Sequence, residues 1–157
     1  MAPVLNNYPE LTERAAYLSD LGITINWKGQ YHACALSTSV RKPHVSLNLG
    51  VAVKPDCVIV ELHLPKNTKH DNLYAETLVD RLWSRKTMKA IAVKMQELHG
   101  GNYKHVRISE SKNYEGINFR VTQRGGDKDL RLANLLKAIK YVAEQQGLTE
   151  IVELLSK

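Results

Sequence analysis

Between Tyr31 and Pro65 the chain alternates apolar and polar residues, the period of a sheet with one buried face. Val45, Leu47, Leu49, Val51 and Val53 fall on one side, and His44, Ser46, Asn48, Gly50 and Ala52 on the other. After Lys54-Pro55-Asp56, the set Val58, Val60, Leu62 and Leu64 repeats the pattern against Cys57, Ile59, Glu61 and His63. The stretch predicts a three-stranded antiparallel meander with strands over about 31–38, 44–53 and 58–64. Ser39-Val40-Arg41-Lys42-Pro43 is expected as the polar loop between the first two. Pairing the last two strands across the turn sets Gly50 opposite Glu61 and Asn48 opposite His63.

On either side the period changes to that of helices. Leu11, Ala15 and Leu18 predict a helix over 8–22, with Gly22 as its stop. Ile23 to Trp27 reads as a short extended segment and Lys28-Gly29-Gln30 as a turn. Pro65, which has no amide to donate, ends the sheet run. Asp71 can cap a long helical region whose apolar face is Leu73, Leu78, Leu82, Ile91, Met95 and Leu98, with an interruption at Ser84-Arg85-Lys86-Thr87. Gly100-Gly101 closes it. Two strands are expected over 103–109 and 114–123, separated by a polar turn at Ser111-Lys112-Asn113. Arg124-Gly125-Gly126-Asp127 is a stop-and-cap signal before a last helix over 128–146, and a short extension follows Gly147. The expected fold is therefore a single α+β domain over 1–157. Its order is α-β-β-β-α-β-β-α, with a five-stranded antiparallel sheet and helices mainly on one face.

Composition is that of an ordinary globular protein, 43% hydrophobic and 24% charged. The first ten residues lack the charged-then-apolar pattern of a signal peptide, and no apolar run reaches the roughly 20 residues that span a bilayer. Two cysteines without export features fit reduced thiols, so a cytoplasmic protein is expected. The net charge of +6 is unevenly placed. Segments 1–64 and 125–157 are each neutral, whereas 65–124 holds twelve Lys/Arg against six Asp/Glu. That asymmetry points to an anionic partner, nucleic acid first, against the plainer reading of a solvated, solubilising face.

The candidate nucleic-acid-binding set is Arg81, Arg85, Lys86, Lys89, Lys104 and Arg107. On the helical element Arg81, Arg85 and Lys89 are spaced four apart, so they are expected to project from one side. Lys86, Lys104 and Arg107 extend the stripe if helix and following strand are neighbours. Such charges bind phosphates without sequence preference, and Trp83, Tyr103, Tyr114 and Phe119 are the nearby aromatics. No base-reading motif is visible. Asp56 with Glu61 and His63 echoes the acidic pairs of metal-dependent nucleases, but Pro55-Asp56 is also ordinary turn chemistry, which is the favoured reading. The histidines and cysteines show no ligand spacing, so neither metal nor cofactor is expected. The polar side of the meander is read as wet, or else as a binding surface.

The run Leu36-Ser37-Thr38-Ser39, the strand at 44–53, Val58-Ile59-Val60-Glu61-Leu62-His63-Leu64, and the helix Leu78-Val79-Asp80-Arg81-Leu82-Trp83-Ser84-Arg85-Lys86 resemble an uncharacterised prokaryotic α+β domain family. Members of that family are often appended to nuclease-like or restriction-associated regions. The resemblance covers most of residues 24–145, departs at Thr87-Met88-Lys89-Ala90-Ile91, and implies a nucleic-acid-processing context without a catalytic residue. The same element order resembles the secretion-chaperone fold, which binds protein segments. The expectation is a non-enzymatic nucleic-acid-binding or nuclease-associated accessory domain. The alternative is a protein-interaction module (chaperone-like, immunity or anti-defence), with homodimerisation possible on either reading.

Overall fold

The computed structural model describes residues 9–27, 29–31, 34–42, 45–63, 81, 84–99, 107–113, 116–122 and 127–156. Helix α1 (Pro9–Asp20) begins at a proline, whose missing amide costs nothing in a first helical turn. It ends in a Schellman motif: Ile23 N–H donates to Leu18 O, Gly22 N–H donates to Ser19 O, and Gly22 takes φ +92°. The extended segment 23–27 then buries Ile23, Ile25 and Trp27 and exposes the residues between them.

Among the described residues the sheet has six strands, in the order β1-β2-β3-β4-β6-β5, with every neighbouring pair antiparallel. They are β1 (Gly29–Tyr31), β2 (Cys34–Lys42), β3 (Val45–Val53), β4 (Cys57–His63), β5 (Arg107–Asn113) and β6 (Gly116–Thr122). The expected five-stranded sheet is thus corrected to six. The segment read as one strand over 31–38 belongs to two antiparallel strands, with Tyr31 of β1 paired to Cys34 of β2 and Gly29 to Ser37. Residues 39–42, expected as a loop, continue β2 and pair Ser39 with Asn48 and Val40 with Leu47. Their polar character reflects strand positions that alternate across the sheet, not a turn.

A second correction concerns Ser111-Lys112-Asn113, which is strand rather than turn and pairs with Asn118, Ile117 and Gly116. β5 is an edge strand, and edge strands carry polar residues that block further pairing. Pairing between the meander strands follows the expected register, Asn48 with His63 and Gly50 with Glu61. Lys54 N–H donates to Cys57 O at 2.8 Å, closing a hairpin around Pro55 and Asp56.

One face of the sheet carries Leu36, Leu47, Leu49, Val51, Val58, Val60, Leu62, Ile117, Phe119 and Val121, all buried. Against it packs α3 (Lys128–Gln145), whose buried residues include Leu132, Leu135, Leu136, Ile139 and Val142. Asp127 caps this helix, its carboxylate accepting from Leu130 N–H at 3.0 Å. A second Schellman motif ends it, with Leu148 N–H on Ala143 O and Gly147 at φ +69°. Helix α4 (Thr149–Leu154) then folds back, burying Ile151 and Leu154 in the same core. Helix α2 (Arg85–His99) lies on α3 and adds Ile91 and Met95 to the core. Its start at Arg85 places the helical interruption where the polar residues around Ser84 suggest it; residues 71–80 and 100–101 lie outside the described residues.

The opposite face is polar in sequence yet largely shielded. Asn48, Gly50, Ala52, Cys57 and Ile59 are buried, and Ser37, Ser39, Glu61, His63 and Asn118 are half-buried. Among the described residues of β6 only Arg120 is well exposed. The expectation of a wet face is therefore revised. Ala52, Cys57 and Ile59 form a small apolar cluster separate from the main core.

Candidate nucleic-acid interface

Helix α2 is organised by its first turn. Ser84 Oγ accepts from Thr87 N–H at 3.1 Å and Ser84 O accepts from Met88 N–H at 2.9 Å, so Ser84 caps the helix. Thr87 is 1% exposed, and its hydroxyl lies 2.8 Å from Ser84 Oγ and 3.2 Å from Arg81 O. It also accepts from Gln146 Nε2 at 2.6 Å. Gln146 is the C-cap of α3, so this polar knot joins the start of α2 to the end of α3.

Arg81 belongs to the knot. Its Nη2 donates to Gln146 O at 2.8 Å, placing a cation on the carbonyl end of α3, where the helix dipole favours it. Arg81 precedes the Ser84 break, so the fourfold spacing with Arg85 and Lys89 does not run along one unbroken helix. The structure assigns it a bridging contact that the sequence pattern does not reveal.

Arg85, Lys86 and Lys89 remain exposed on α2 and form no ion pair with a described residue. The first turn of α2 holds no acidic residue, so Arg85 and Lys86 sit at the positive end of the helix dipole, where cations are locally unfavourable. The arrangement lowers helix stability and raises the local positive potential. Lys104 lies outside the described residues. Arg107 opens edge strand β5 and pairs with Thr122, and its side chain lies outside the described set. Of the nearby aromatics, Phe119 is fully buried in the core, as a packing residue would be, while Trp83, Tyr103 and Tyr114 lie outside the described residues.

Along α2 an open depression of about 370 Å³ is lined by Lys86, Lys89, Ala90, Val93, Lys94 and Glu97, with Tyr141 contributed by α3. Lys94 Nζ lies 4.1 Å from the centre of the Tyr141 ring, a cation–π distance, and 3.5 Å from Glu97 Oε2. Val93 is 47% exposed and Tyr141 42% exposed. Of the lining residues, Lys86 and Lys89 belong to the sequence-derived set; Ala90, Val93, Lys94, Glu97 and Tyr141 do not, and Tyr141 alone comes from another helix. Its signal was a polar-tipped aromatic on an otherwise core-facing helix, and only the packing of α2 on α3 brings it to the lysines.

The Asp56–Glu61–His63 set resolves differently. Asp56 is exposed in the β3–β4 hairpin turn, while Glu61 Oε2 lies 2.7 Å from His63 Nε2 on the shielded sheet face. Among the described residues no three His, Cys, Asp or Glu side chains come together as a metal site. Cys57 is buried beside Ile59, and burial pushes its thiol pKa up, away from nucleophile chemistry. Among the described residues no helix is long and apolar enough to cross a membrane. Comparison with known proteins finds no matching family, no matching curated protein and no matching solved structure.

Proposed function

We propose that this protein is a non-enzymatic nucleic-acid-binding or nuclease-associated accessory domain that uses the exposed cationic face of α2. The observation that carries this reading is the cluster of Arg85, Lys86 and Lys89, exposed and without described acidic partners, at a helix start that electrostatically opposes it. Phosphates placed there would gain from both the side chains and the helix dipole. The resemblance of 24–145 to domains found beside nuclease-like regions points the same way.

Binding of labelled DNA and RNA across a salt series tests the reading. The affinity is expected to fall steeply with salt, and combined Arg85→Glu, Lys86→Glu and Lys89→Glu substitution to remove most of it. A salt-independent affinity, or one that survives the triple reversal, would overturn the proposal. Exposed Val93 and Leu98 on the same helix favour a second reading, a protein partner or a second copy of the chain docked on α2. Mass measurement in solution distinguishes it by a stable complex that retains no nucleic acid.

A further inference from the structure

We infer that the depression between α2 and α3 takes an unpaired nucleotide, so that the preferred ligand is single-stranded nucleic acid rather than duplex. This rests on the nucleic-acid reading above and narrows its substrate class. Duplex binding through phosphates needs cations alone and has no use for an apolar floor. Here the cations Lys86 and Lys89 border a floor of Ala90 and Val93, and an aromatic ring stands at its side. Binding of single strands combines the same two components, a charged track for the backbone and aromatic rings for the bases.

Size and charge fit the occupant. A depression of about 370 Å³ is at the small end of ligand sites, suited to one base and its sugar. Tyr141 is 42% exposed, so part of its ring is open to a stacking partner. Lys94 covers the ring at 4.1 Å and lies 3.5 Å from Glu97 Oε2. A base stacking on that ring face takes the place of Lys94, and the released ammonium can pair with a phosphate. Glu97 supplies the acceptor that a cation-lined track otherwise lacks for an exocyclic amine.

The test compares single-stranded DNA, single-stranded RNA and the duplex of one 20-nucleotide sequence at fixed salt, with wild type, Tyr141→Ala, Tyr141→Phe and the triple charge reversal. Single strands are expected to bind at least about tenfold tighter than duplex. Tyr141→Ala is expected to lose about fivefold or more on single strands, with duplex binding unchanged, and Tyr141→Phe to stay near wild type. The DNA and RNA arms show which strand the site takes. Equal duplex and single-strand affinity that the charge reversal still removes would overturn this inference and leave the basic-face proposal standing. Unchanged single-strand affinity in Tyr141→Ala, or an equal loss in Tyr141→Phe, would also overturn it. Absence of binding to every oligonucleotide would overturn both.

Discussion

At the scale of single residues, Gly116 leaves less room for a side chain than Gly22 or Gly147. A Cβ there would lie 1.9 Å from Leu62 O, a backbone atom of the neighbouring central strand that cannot swing aside. Gly116→Ala should therefore cost about 3 kcal/mol or more, read as a lowered denaturation midpoint at unchanged slope. Asp127 offers a pH-dependent counterpart. The Tyr17 hydroxyl donates to it at 2.6 Å and, with the amide of Leu130, holds the carboxyl pKa below its ordinary value; the same hydrogen bond raises that of Tyr17. A lowered carboxyl pKa contributes stability that is present above the ordinary carboxylate range and is lost as pH falls through the lowered value. Asp127→Ala should then cost about 1 kcal/mol at neutral pH, and the gap to wild type should close in acid, below about pH 4. Denaturation series at pH 7 and pH 3 check both parts. Asp127 was readable as a cap from Gly125-Gly126-Asp127, whereas its partner Tyr17, on another helix, was not. A cap is local chemistry, and the tyrosine arrives only through the packing of α1 on α3.

At the scale of elements, the α2–α3 junction depends on one buried hydroxyl. Thr87→Val keeps the shape but removes the acceptor of Gln146 Nε2 and the group bonded to Ser84 Oγ. The loss should be about 1–3 kcal/mol, because partially buried polar atoms are left unpaired, and Thr87→Ser should recover much of it. Thermal denaturation of the two variants makes the comparison. This scale also shows what the sequence could and could not display. Alternation together with the Pro55-Asp56 turn was enough to place Asn48 against His63, since a hairpin ties register to local chemistry. β5 was misplaced because Ser111-Lys112-Asn113 has turn composition, and only its position at the sheet edge explains that composition. β1 was missed because the sequence between the paired residues Tyr31 and Cys34 contains neither glycine nor proline. In the candidate site, the lysine positions were legible from charge, while the diversion of Arg81 and the arrival of Tyr141 are tertiary facts.

At the scale of the whole molecule, charge and stability are set against each other on α2. Arg85→Glu and Lys86→Glu each place an acid where the helix dipole favours it, so each should raise stability by about 0.3–1 kcal/mol while weakening nucleic-acid binding. The triple reversal should also flatten the slope of log affinity against log salt by about 2 to 3. Arg81→Glu should instead lower stability, through the lost bond to Gln146 O. A set of variants in which stability and binding move together would remove the basis for reading α2 as an interface. The strand order has a separate consequence, for how the chain finds this fold. β2, β3 and β4 pair with near neighbours in sequence, and β5 with β6, but β6 reaches β4 only by joining Val60 to Phe119 across everything between. Closing that loop is the step with the largest entropic barrier. The two halves of the sheet should therefore form early and separately, and their meeting along β4 and β6 should set the rate. The basic helix lies in the intervening segment and packs on α3, so it should order late, once α3 has docked on the joined sheet.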